Sequence, residues 1–420
     1  MSELLITGLA ELATPLGSKP LAGTDQGKVE RVRDVEVYCR DGRIAFVGSP
    51  AERRRELGRL EAAERLDGRG GTLVPGFVDS HTHLPWAGSR ENEFAMRLAG
   101  KTYLEIAAAG GGILSTVRAT RAASVEELAA NMRQRLDRML ALGTCTAEVK
   151  SGYGLSVEAE LKQLQAIRRA AEEHVVEVVP TLLAAHEFPP EYRDDHDAWI
   201  ELIVGEIIPA AAEANLARFC DVFCERGVYS VKESRRVLQA GAANGLRPRF
   251  HADEFADSGG AVLAAELGAV SADHLVAISD QGIEAMAGAG VAAVLLPGVN
   301  FYLMKEEYAP ARRLVEAGVP VVLATDCNPG SSHTESLPLI MQLGIFKMKL
   351  TIEECLTAVT LNPACSLGLG DEIGTIEVGK RADLVLLAEP NLLHLGYHFG
   401  INPVGAVVKG GRVVYRAATG

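Results

Sequence analysis

Two periodicities divide the chain. In the first seventy residues apolar and polar positions tend to alternate, as in Val32-Arg-Asp-Val-Glu-Val-Tyr-Cys39 and Arg43-Ile-Ala-Phe-Val-Gly48. A period of two marks half-buried strands, and Asp41-Gly42 between these runs is a hairpin turn signal. From about residue 72, short apolar runs exchange with segments of helical period. Ser124-Val-Glu-Glu127 and Ser230-Val-Lys-Glu233 are capping boxes that open helices, and Ser156 caps another. Further helices are expected near 197–213, 260–267 and 310–317, with strands near 144–149, 175–183, 219–224, 249–251, 270–274, 291–296 and 320–326. Such alternation favours a parallel sheet, closed as a (β/α)8 barrel or open and doubly wound. No Gly-x-Gly-x-x-Gly fingerprint follows a first strand, which weighs against a dinucleotide fold. Beyond helices at 352–369 the pattern returns to strands, over 374–387 and 404–415. The simplest architecture pairs the two β-rich ends, 1–70 and 366–420, into one small domain beside a barrel over 71–365.

Composition narrows the class. The 420 residues are 48% hydrophobic and 23% charged, enough for a large core in a soluble globular protein. A net charge of −13 argues against nucleic acid and anionic membrane as partners. No apolar run approaches the ~20 residues that span a bilayer, and Met1-Ser-Glu-Leu-Leu5 lacks the basic start of a signal peptide. Seven scattered cysteines read as reduced thiols, so a cytoplasmic location is expected. Cys220 and Cys224 lie in an apolar strand and read as core. Gly110-Gly-Gly112 lacks the Lys-Ser/Thr of a phosphate loop and reads as a flexible loop or lid.

The candidate chemistry starts at Val74-Pro-Gly-Phe-Val-Asp-Ser-His81-Thr-His83. Two histidines one residue apart on an extended segment face the same way, as a pair of metal ligands must. Other polar residues stand where apolar strands stop: Glu148 or Lys150, His186, His251 with Glu254, His274 and Asp326. In a barrel that end is where catalysis sits. His81, His83, His251 and Asp326 would supply three nitrogens and an oxygen to one divalent ion, a thiolate-free set suited to zinc or iron. Glu254 is placed to move a proton and His274 to polarise a carbonyl. Asp326 is a second candidate for the water proton.

These residues, with Pro75-Gly-Phe-Val-Asp-Ser-His-Thr-His83, Thr325-Asp326 and Gly374-x-Ile-x-x-Gly-x-x-Ala-Asp-Leu-Val385, resemble the amidohydrolase superfamily over nearly the whole chain. The resemblance implies a distorted (β/α)8 barrel with a small β-sandwich from both chain ends, and a homodimer. A binuclear member carries a bridging lysine one strand later than Lys150, so one metal per subunit is expected, with Lys150 structural or supporting and Asp79 supporting. Finer motifs, Lys150-Ser-Gly-Tyr-Gly-Leu155, Phe250-His-Ala-Asp-Glu254 and Thr325-Asp-Cys-Asn-Pro-Gly-Ser331, resemble the branch that opens an imidazolone ring in histidine degradation. That branch implies hydrolysis of the cyclic amide of 4-imidazolone-5-propanoate to N-formimidoyl-L-glutamate by a metal-activated water. It also implies substrate contacts from Arg90, Tyr153, His186, Asn328, Gly330 and Ser331. Arg90 would clamp the propionate, Tyr153 would close over the ring from a mobile glycine-flanked loop, and the backbone amides of the 328–330 turn, with Ser331, could bind a carboxylate. A cytosine- or guanine-type deaminase of the same superfamily is the alternative, and a non-catalytic assembly module a remote one.

Overall fold

The computed structural model describes residues 2–60, 63–101, 105 and 110–418. Eight parallel strands run in sequence order around a nearly closed barrel. They are Phe77–Asp79 (β1), Thr144–Lys150 (β2), Glu177–Ala185 (β3) and Phe219–Cys224 (β4), then Arg247–Ala252 (β5), Ser271–His274 (β6), Ala292–Leu295 (β7) and Val321–Leu323 (β8). Parallel strands need long crossovers, and helices such as Val125–Ala141, Val157–Glu173 and Val231–Ala243 supply them. The Ser124 and Ser230 capping boxes form with both reciprocal bonds. The helix expected over 197–213 is two pieces, His196–Leu202 and Ile208–Glu213, joined by a π-turn over Ile203–Ile207. Pro209 in the first turn of the second piece has no N–H to continue the first one's ladder.

The chain ends make two further sheets. One pairs Arg43–Gly48, Glu36–Arg40, Glu3–Thr7 and Glu64–Asp67; the other has six strands and joins Thr72–Pro75 to Leu384–Leu387 and Val404–Lys409. Strand alternation gives this second sheet two buried faces. Leu73, Leu384, Ala406 and Val408 pack with Leu4, Ile6 and Val37 between the sheets, whereas Val74, Val385 and Val407 join the barrel's core. The sandwich is thus cemented to the barrel. The strand expected over 374–387 is present only as Leu384–Leu387. Its first half is turns, with Gly374 at φ +95°, where a side chain would meet the Leu361 backbone at 2.9 Å. A helix, Pro50–Leu57, is additional, and its Ser49–Glu52 capping box was legible in the sequence. Among the described residues no helix is long and apolar enough to cross a membrane.

Candidate active site at the barrel mouth

Beyond β1 the chain stays extended and pairs across to the segment after β8. Thr82 bridges Cys327 in parallel, the Asp326 amide donates to the His81 carbonyl at 3.0 Å, and the His83 amide to the Cys327 carbonyl at 3.0 Å. The barrel therefore closes through the same residues that carry the chemistry. With Thr82 turned to the wall, His81 and His83 project together. Asp326 and His274 sit at φ 49° and 77°, a left-handed backbone that non-glycine residues adopt rarely and that clusters at functional sites.

The inner atoms converge. His83 Nε2 lies 3.4 Å from His251 Nε2 and 3.2 Å from Asp326 Oδ1, and His81 Nε2 lies 3.5 Å from the same oxygen. Ligand atoms around a tetrahedral ion with bonds of ~2.1 Å stand about 3.4 Å apart, so the spacing fits. His81 Nε2 and Asp326 Oδ1 are buried without a hydrogen-bond partner, an arrangement that costs free energy unless something else satisfies them. His81, His83 and His251 form one grouping able to hold a metal ion; His81, His274 and Asp326 form an overlapping one.

The outer nitrogens are fixed by carboxylates. His81 Nδ1 meets Asp273 at 2.6 Å and His251 Nδ1 meets Asp221 at 3.2 Å, which turns each Nε2 lone pair inward. Burial drives His81 and His83 well below the usual histidine range, so both are the neutral rings a metal requires. For His251 burial works the same way, but the Asp221 carboxylate outweighs it and raises the ring. Below them Lys150 Nζ sits 2.8 Å from both Glu148 and Asp221. Burial disfavours its ammonium, yet Asp221 and Glu148 keep it charged. Lys150 is thus a buried counter-charge that anchors Asp221. Asp79 accepts from the Thr325 amide and hydroxyl and is pushed up to about 7 by burial; these bonds tie β1 to the segment after β8.

A cavity of about 470 Å³ opens over this cluster, lined by His83, His251, His274, Glu254 and Asp326 and by all six residues expected to contact substrate. Burial, then the Asp326 carboxylate, lifts Glu254 to about 8, and burial lowers His274 to about 3. Glu254 Oε2 lies 3.5 Å from His274 Nδ1. Arg90 gives Nε and Nη2 to Glu93 at 3.0 and 2.7 Å. His186 stacks on His83, with ring centroids 5.2 Å apart, and its Nδ1 meets the Gly152 carbonyl at 3.0 Å. Two loop expectations are corrected. The Gly152–Leu155 loop is not mobile: the Glu160 carboxylate accepts from the Gly152, Gly154 and Leu155 amides and Gln163 from that of Tyr153. The Gly330 and Ser331 amides are not free donors either, because both point at Asn328 Oδ1 at 2.8 Å.

Asp221, Asp273, Glu93 and Phe223 belong to the site although the motifs did not single them out. For Asp221 a signal existed, since a carboxylate inside the otherwise apolar run Phe219–Cys224 demands a partner.

Fold and site together define a metal-dependent hydrolase: the chain belongs to the amidohydrolase family, whose sequence profile ("Amidohydrolase family") matches residues 98–415. Curated relatives over nearly its whole length include imidazolonepropionases. That of Geobacillus sp. (strain WCH70) is 50% identical, covering 99% of each chain. That of Alkaliphilus metalliredigens (strain QYMF) is 48% identical, covering 99% of this chain and 98% of its own. Among solved structures, E. coli guanine deaminase superposes with a TM-score of 0.75 over 100% of both chains at 16% identity. The 5-methylcytosine deaminase of Klebsiella pneumoniae gives 0.74 over 99% and 98%, also at 16%. At that identity these two speak to the fold alone.

Proposed function

We propose that this protein hydrolyses the cyclic amide of 4-imidazolone-5-propanoate to N-formimidoyl-L-glutamate. The observation that carries the reading is one cavity holding both the histidine–Asp326 cluster and the Arg90 guanidinium, in a chain half identical to imidazolonepropionases end to end. His81, His83, His251 and Asp326 would hold one divalent ion, zinc or iron, since their nitrogen and oxygen donors suit either. When bound, such an ion lowers the pKa of a water toward ~7 and polarises a carbonyl oxygen.

The protein's own residues do the rest. Arg90 holds the propionate, with a fork suited to a carboxylate. Tyr153 and His186, both beside His83, give the flat ring two walls. Glu254, at about 8, is poised near neutrality, where a group can both take and give a proton. It accepts a proton from the water as that oxygen joins the ring carbonyl carbon, then delivers it to the ring nitrogen as the carbon–nitrogen bond breaks. Neutral His274 donates to the carbonyl oxygen as charge builds there. Asn328 shapes the turn at 328–331. The reading extends to a cytoplasmic homodimer with a domain division at 71–365.

The test is a turnover assay with imidazolonepropionate, followed by loss of its absorbance, beside cytosine and guanine assayed for ammonia, with metal analysis of the same sample. Loss of imidazolonepropionate without ammonia from the bases is expected. Metal-loaded protein that leaves imidazolonepropionate unchanged overturns the reading, and ammonia release would replace it with a deaminase.

A further inference from the structure

The barrel interior buries a second cation besides Lys150. Arg249 is fully buried and stands two residues before His251 on β5, so both side chains enter the barrel from one face of that strand. Its guanidinium lies 5.4 Å over the Phe219 ring. Burial disfavours the charge, yet the Asp273, Glu148 and Asp221 carboxylates preserve it. The position is a costly one for an arginine. Nε and Nη1 are shut off from solvent with no hydrogen-bond partner among the described residues, a cost that an apolar side chain of similar size would avoid.

Both bonds that Arg249 makes run from Nη2, to the Ser80 carbonyl at 2.9 Å and to Asp273 Oδ2 at 3.4 Å. Ser80 is the residue before His81, and the same Asp273 oxygen meets His81 Nδ1 at 2.6 Å. One nitrogen therefore joins the backbone that carries the His81 ring to the acid that orients it. Asp273 Oδ1 is held separately, by the Ser271 hydroxyl at 2.6 Å. On the other side of His81, the Thr82 hydroxyl donates to the Glu148 carbonyl at 2.7 Å, which fixes the backbone there without reaching the ring. Lys150 serves a different pair: it is 2.8 Å from Glu148 and Asp221 but 3.9 Å from Asp273. The two buried cations divide the work, Lys150 behind Asp221 and His251, Arg249 behind Asp273 and His81.

We infer that Arg249 is a positioning residue for the metal centre: its Nη2 ties the Ser80 carbonyl to Asp273 and so holds His81 Nε2 facing Asp326 Oδ1. It acts through Asp273. The inference rests on the reading of His81 as a metal ligand and adds the group that fixes that ligand in place.

The test is zinc affinity of the full-length protein by chelator competition, in a double-mutant cycle over Arg249→Met and Asp273→Asn, with melts of the metal-free variants alongside. Arg249→Met should weaken zinc binding about 10- to 100-fold. In the Asp273→Asn background the same change should cost at most about 2-fold, because the group it acts through is already altered. Arg249→Lys, whose ammonium can meet the same acceptors, should recover part of the affinity. Should Arg249→Met fail to fold, Arg249→Gln takes its place in the cycle. If Arg249 only braces the barrel, the metal-free melt falls while zinc affinity stands, which overturns the inference, as do losses that add in the double variant. Unaltered protein that takes up no zinc overturns the metal reading itself.

Discussion

Glu254 meets opposed demands from chemistry and stability. Glu254→Gln keeps the shape and removes the proton carrier, so turnover of imidazolonepropionate should fall about 10²- to 10⁴-fold with bound metal unchanged by elemental analysis. The same change should stabilise. The carboxyl sits at about 8 when folded against an ordinary value of 4.5, so between those values the folded state holds a proton that the unfolded chain has released. Stability then falls as pH rises through that window and levels off above it, by at most about 1.4 kcal/mol per pH unit. In metal-stripped protein, melts from about pH 5 to about pH 8 should show Glu254→Gln gaining on the unaltered chain. A constant gap would mean the carboxyl ionises normally. Asp221 and Asp273 act one step further out. Asp221→Asn or Asp273→Asn should cost about 10- to 100-fold in metal affinity, read by competition with a chelator.

At the scale of elements, the joint between sandwich and barrel is close. Gly76 separates Thr72–Pro75 from β1, and a Cβ there would meet Cys145 Sγ at 2.6 Å and its Cβ at 2.9 Å. Gly76→Ala should therefore cost about 1–3 kcal/mol and lower the melting temperature by a few degrees; an unchanged melt would mean that the joint yields. Local signals were legible where chemistry is local. The Ser124 and Ser230 caps start helices as their spacing predicts, because a hydroxyl and a carboxylate three residues apart satisfy each other's backbone donors without outside help. The stretch 374–383 was not legible. Its apolar residues suit a strand, but Gly374 is pressed against Leu361, and how closely that helix approaches is a tertiary contact that sequence spacing does not set.

At the scale of the molecule, a bound ion would stabilise the folded state alone, since the four proposed ligands come from β1's extension, β5 and β8's extension. Chelation should abolish turnover and lower the melting temperature, with both restored by zinc or ferrous ion; at free metal 1,000-fold above Kd the difference is about 4 kcal/mol. Turnover that survives stoichiometric metal loss would sink the metal role. The sequence by itself determined the alternation of strands and helices, the His81–His83 pair and the presence of histidines and acids at strand ends, because strand and helix periods and the facing of positions i and i+2 are properties of the backbone. Only the tertiary structure decided which acids pair with which rings, that Glu160 locks the Tyr153 loop, and that Glu93 holds Arg90 at the cavity. The ring–acid pairs lie 30 and 192 residues apart in sequence, and burial, not spacing, sets the charge of each group.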